Sequence, residues 1–98
     1  MRLTQYEIAA IKSIARRVFG SKTDVYLFGS RVDDLKKGGD IDLFIKGADE
    51  YTIRRKVLFL AELKKRIGDQ RIDVVFDNEN ARRQRIFYNS IVNNSAIL

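Results

Sequence analysis

Apolar residues from 5 to 19 recur at helical spacing, with Ile8, Ile11, Ile14, Ala15, Val18 and Phe19 returning every three or four positions. Thr4-Gln-Tyr-Glu7 in front of them has the pattern of a capping box, and Gly20 supplies the stop, so a first helix is predicted over 5–19. Val25-Tyr-Leu-Phe28 is a short apolar run ended by Gly29, which suits a buried, central strand. A connection closed by Gly38-Gly39 leads to Asp40-Ile-Asp-Leu-Phe-Ile45, whose opening alternates polar and apolar and predicts a second strand. Asp49 is placed to cap a helix over about 50–66, with Ile53, Val57, Leu60, Ala61 and Ile67 on one side and bases crowding the other. Gly68 closes it, and Ile72-Asp-Val-Val-Phe76 reads as a third strand carrying one acid. From Asn78 a last helix is expected, with Arg82, Arg83 and Arg85 ahead of Phe87, Tyr88, Ile91 and Val92. The elements imply a mixed α/β fold in one domain: a small sheet of three or four strands, the first two antiparallel, flanked by helices.

Composition narrows the chemistry. The chain of 98 residues contains no cysteine and no histidine, which excludes thiolate nucleophiles, Cys- or His-ligated metals and Ser-His-Asp triads. Carboxylates, hydroxyls, backbone amides, Lys and Arg remain. The N-terminus has no apolar core of a leader and no stretch approaches bilayer length, so a cytoplasmic protein with no membrane partner is expected. Formal charge is +6, distributed unevenly: residues 51–71 hold seven bases and two acids, whereas residues 31–50 hold six acids and four bases. An acidic loop-and-strand region is therefore set among basic helices. The clusters Arg54-Arg-Lys56 and Lys64-Lys-Arg66 read as a solvated helix face, and loop lysines Lys36 and Lys37 likewise.

Asp40 and Asp42 stand two apart on a strand and share a face, where their carboxylates can converge on hard cations. If the third strand lies beside the second, Asp73 joins them. Three gathered carboxylates repel and raise one another's pKa, a cost that a divalent cation removes. The same residues also suit the wet face of a half-exposed strand. Gly29-Ser30, directly after a buried strand, can bring backbone N–H groups and a hydroxyl against phosphate oxygens; a helical turn from Arg31 onward would add favourable partial charge. Two other motifs fail on detail. Gly20-Ser-Lys-Thr23 lacks a Gly before Lys22 and follows a helix, so it is no P-loop; an EF-hand from Asp40 would need Gly and Glu where Ile45 and Tyr51 stand.

Taken together, Leu27-Phe-Gly-Ser-Arg31, the following nine residues from Arg31 to Gly39, Asp40-Ile-Asp-Leu43 and Ile72-Asp-Val-Val75 closely resemble the minimal nucleotidyltransferase family of the DNA polymerase beta superfamily. The resemblance covers about residues 25–76. It implies the nucleotidyltransferase fold, with Gly29, Ser30 and Arg31 at the nucleotide triphosphate and Asp40, Asp42 and Asp73 as catalytic and magnesium-binding residues, Asp73 also activating the acceptor hydroxyl. Gly39 stands where a Ser or similar residue commonly precedes the paired acids, and Asp33 and Asp34 where many relatives are basic or small. The reaction implied is magnesium-dependent transfer of AMP from ATP to a hydroxyl, with two Mg2+ ions. Small family members resembling this chain are often antitoxins that adenylylate a tyrosine of a helical HEPN-type toxin, and a chain this short is expected to rely on such a partner. Two alternatives stay open: a catalytically inactive protein of the same fold that neutralises a partner by binding, and a nucleic-acid-binding module driven by its basic helices. The apolar residues around Tyr88 and Ile91 either close the core or form a partner-binding face.

Overall fold

The computed structural model describes residues 2–32 and 39–98, with Ser30 described by its backbone; Asp33, Asp34, Lys36, Lys37 and Gly38 of the connecting loop lie outside the described residues. Helix α1 (Gln5–Phe19) begins at the expected capping box, in which Glu7 N donates to Thr4 Oγ1 at 3.0 Å and Thr4 N donates to Glu7 Oε1 at 2.9 Å. Strand β1 (Asp24–Phe28) runs into a 3-10 turn at Gly29–Val32. Then follow β2 (Ile41–Lys46), α2 (Ile53–Ile67), β3 (Ile72–Phe76), two short helices α3 (Glu79–Arg83) and α4 (Arg85–Asn93), and β4 (Ala96–Ile97).

The sheet has the order β3-β2-β1-β4, with β2 antiparallel to β1, parallel to β3, and β4 antiparallel to β1. Its period of two decides everything about the site. Val25, Leu27, Ile41, Leu43, Ile45, Val74 and Phe76 turn to one face and join α1 and α2 in the main core. Phe19 is at its centre, its ring 5.2 Å from Phe59 and 5.6 Å from Phe76. The intervening residues, Tyr26, Phe28, Asp42, Phe44, Asp73 and Val75, therefore share the opposite face. There α4 lies over part of the sheet, with Phe87 against Phe28 at 6.4 Å and Tyr88 against Phe44 at 6.0 Å between ring centroids.

Four sequence expectations need correction. Helix α2 is capped by Thr52, whose hydroxyl accepts from Arg55 N at 3.2 Å, while Asp49 N donates instead to Phe19 O at the end of α1. Its buried face is Phe59 and Leu63 with Leu60 and Ile67 alongside, roughly a quarter turn from the face expected, so Ile53 (78% exposed), Val57 (59%) and Ala61 are outward. The reason is bulk: the aromatic Phe59 fills the space beside Phe19, and the β-branched residues take what is left. The Arg54–Lys56 cluster is accordingly not all solvated. Arg55 Nη1 donates to Val18 O at 2.6 Å, satisfying a carbonyl near the end of α1, and Lys56 Nζ donates to Val74 O at 3.0 Å on the outer side of β3. The final helix is two helices, broken at Gln84, and a short fourth strand follows.

The tail closes the structure more than it advertises a surface. Ile91 is 2% exposed, and the Tyr88 hydroxyl donates to Asp77 Oδ1 at 2.9 Å, whereas Ile86, Phe87 and Val92 are exposed. Among the described residues no helix is long and apolar enough to cross a membrane.

Candidate active site

Asp42 sits at the crossing point of three segments. Its strand partners in register are Phe28 of β1 and Asp73 of β3, so all three side chains emerge side by side on the open face. Asp40 lies two positions earlier, where Ile41 N donates to Arg71 O at 3.0 Å and holds the start of β2 against the start of β3. The carboxyl of Asp42 is held above its ordinary value by burial first, then by the charges of Asp73 and Asp40 and by a side-chain hydrogen bond with Asp73.

Gly29 borders this carboxylate on the other side. Its φ is +77°, and a Cβ placed there would press on the Asp42 carboxylate, 3.1 Å from Cγ. Only glycine fits both the left-handed backbone and the carboxylate's space. Ser30 follows in the same 3-10 turn; its side chain lies outside the described part. Among the described residues that turn covers Gly29–Val32, and the stretch that the sequence suggests as a helical turn from Arg31 onward runs beyond them.

Arg31, placed at the triphosphate by the resemblance, also makes contacts within the fold. Its Nη1 donates to Arg2 O at 3.0 Å, Arg2 N donates back to Arg31 O at 2.8 Å, and its Nη2 reaches Gln70 Oε1 at 3.5 Å. Gln70 in turn donates to Glu7 Oε2 at 2.7 Å. Burial pushes the Glu7 carboxyl up, but the bonds from Gln70 and from Thr4 and the Arg31 charge outweigh it and leave it below the ordinary value. Arg31 is a brace that pins the turn after β1 to the starts of α1 and β3. Among the described residues the Nε of its guanidinium is buried without a hydrogen-bond partner.

The three acids supply hard oxygen donors of the kind magnesium takes, and the mutual repulsion recorded in Asp42 is what such a cation relieves. Yet among the described residues no group of three acids is gathered tightly enough to hold a metal ion by itself. Arg71 Nε lies 3.4 Å from Asp40 Oδ2 and engages that carboxylate, while Asp42 and Asp73 bond to each other. The donor chemistry fits a hard cation.

The family model described as "Polymerase beta, Nucleotidyltransferase" matches residues 9–98, nearly the whole chain. The chain belongs to that family. The match runs well past the region of motif resemblance and includes α3, α4 and β4. No match to a curated protein was found. Membership in this nucleotidyltransferase family assigns the general chemistry of nucleotidyl transfer, and the mixed sheet with its flanking helices is consistent with that fold.

One buried acid escaped the sequence reading. Asp77, just after β3, is 4% exposed; its Oδ1 accepts from Arg82 Nε at 3.1 Å as well as from Tyr88, and Arg82 Nη2 donates to its carbonyl at 3.1 Å. These bonds hold the Arg82 guanidinium above its ordinary pKa, the Asp77 contact first. Asp77 fixes α3 and α4 over the face that carries the acids. The available signal was an Asp directly after an apolar strand, which reads equally well as a polar strand end.

Proposed function

We propose that this member of the nucleotidyltransferase family transfers a nucleoside monophosphate, AMP from ATP, to a hydroxyl, and that the hydroxyl belongs to a tyrosine of a helical HEPN-type partner for which the chain is the antitoxin. The observation that supports it best is the placement of Asp42, enclosed between Gly29 and Asp73 on the open face and perturbed by its neighbours. Asp42 and Asp73, with Asp40 released from Arg71, would hold the magnesium. When bound, that metal neutralises the triphosphate and the developing charge on phosphorus. Gly29 lets the backbone approach the phosphates closely, and Ser30 is assigned to the same group. In the transfer, the hydroxyl oxygen forms a bond to the α-phosphorus as the bond to the bridging oxygen breaks; pyrophosphate leaves, and Asp73 accepts the hydroxyl proton.

A non-catalytic role, neutralising a partner by contact, is favoured by one observation, the absence among the described residues of a closed three-acid group. Incubation with each α-labelled nucleoside triphosphate, magnesium and an HEPN-type protein, read by intact mass, separates the two. Addition of one nucleotidyl group to the partner supports transfer. Tight binding of the partner with no mass change supports the contact reading.

A further inference from the structure

A displacement at phosphorus runs in line, with the attacking and leaving oxygens on opposite sides. The Gly29–Ser30 turn borders Asp42 from the β1 side, so with the triphosphate there the acceptor must arrive from the opposite, β3 side. That side is not bare. Val75, two positions beyond Asp73 and on its face, lines a hollow of about 220 Å³ together with Asn80, Gln84 and Phe87. Phe87 is also in edge-on contact with Phe28, the register neighbour of Asp42, so its ring reaches from the hollow across the face that carries the acids.

We infer that this hollow is the acceptor's ring subsite, in which Phe87 stacks the planar ring bearing the acceptor hydroxyl and Gln84 positions it through its carboxamide. The inference rests on the nucleotidyl-transfer reading above and adds where the acceptor is seated. Phe87 retains 43% exposure although it contacts Phe28, leaving ring surface for a ligand. Gln84 is exposed, and its side chain hydrogen-bonds through Nε2 to Asn80 O at 3.5 Å, so among the described residues its side-chain oxygen is open to a ligand.

The surroundings favour a ring carried by a protein over a nucleotide of RNA. Gln84 and Phe87 also line a wider surface groove on α4, where Ile86 is 91% exposed, an apolar surface suited to a protein. Of the nearby cations, Arg82 is engaged with Asp77 at 3.1 Å, Arg83 with Glu79 at 2.7 Å and Lys56 with Val74 O, which leaves Arg85 of the groove among the described residues. An RNA strand needs several such cations for its phosphates.

The test uses the full chain with labelled ATP, magnesium and N-acetyl-tyrosinamide as the acceptor probe, comparing wild type with Phe87→Ala and Gln84→Ala. Melting temperatures establish that each variant is folded, and Gln84→Ala carries the comparison if Phe87→Ala is not. The expected result is an acceptor KM raised about tenfold, the loss of one stacking or positioning contact, with the KM for ATP within about twofold of wild type. Saturation transfer from protein methyl groups to the probe ring is expected in wild type and lost in Phe87→Ala. An unchanged acceptor KM in a folded variant overturns the inference, as does an equal rise in both KM values, which would put Phe87 at the nucleotide instead. Transfer to a ribo-oligonucleotide but not to the tyrosine probe overturns the protein acceptor. If wild type transfers to nothing yet binds the probe ring through Phe87, the transfer reading fails and the ring site survives; loss of both overturns both.

Discussion

Gly29 and Asp42 share one space: a β-carbon on the glycine would lie where the Asp42 carboxylate does. Gly29→Ala therefore combines a strained left-handed residue, about 1–2 kcal/mol, with eviction of the central acid. The expected outcome is lower stability in urea and loss of nucleotidyl transfer of about a hundredfold or more. Denaturation and transfer assays on the same preparation check it; a variant with both properties intact would remove the glycine from the site.

Asp42 also predicts a pH signature. Its folded pKa is raised above the ordinary 3.8, so the folded state holds the proton more tightly than the unfolded chain. Its contribution is favourable at low pH and is lost as pH rises through the folded pKa. Asp42→Asn removes that loss. The melting temperature of the variant should match wild type below 3.8 and exceed it at neutral pH in the absence of metal; a variant less stable at neutral pH would show that the carboxylate is a structural partner, not a repelled one.

The C-terminal helix separates into inward and outward residues. Tyr88→Phe deletes the bond to buried Asp77 and is expected to cost about 1–2 kcal/mol, and Tyr88→Ser with Ile91→Ser about 4 kcal/mol or more. Ile86→Ser should stay within about 0.5 kcal/mol. Chemical denaturation of the isolated chain orders the three; a small loss for the double variant would return Tyr88 and Ile91 to the surface.

The orientation of α2 makes a parallel forecast. Phe59→Ala should cost about 3–5 kcal/mol, while Val57→Ser, at an exposed position, should change stability by no more than about 0.5 kcal/mol. Equal losses at the two positions would contradict the observed rotation of the helix.

Periodicity made much of this legible. The period of two along Asp40–Ile45 and Ile72–Phe76 places Asp42 and Asp73 on one face, and the parallel pairing of those strands makes them neighbours. The capping box at Thr4 and Glu7 located α1 to the residue. What escaped depended on tertiary partners. The sequence pattern of α2 offered two apolar stripes, and only the space beside Phe19 selects the one with Phe59. The resemblance places Arg31 at the phosphates; its partners within the fold, Arg2, Gln70 and, through Gln70, Glu7, are distant in sequence and carried no local signal. The pairing of Ala96 and Ile97 with β1 is likewise non-local, and two residues carry no strand pattern of their own.

The central claim is that the acids on the open face carry nucleotidyl transfer. Its most direct test is magnesium-dependent release of pyrophosphate from ATP, with an HEPN-type protein as acceptor and intact mass as the second readout, for wild type beside Asp42→Asn. The account predicts one nucleotidyl group on the partner with wild type, and none with a variant that is folded and no less stable. Transfer at the wild-type rate by Asp42→Asn would contradict it.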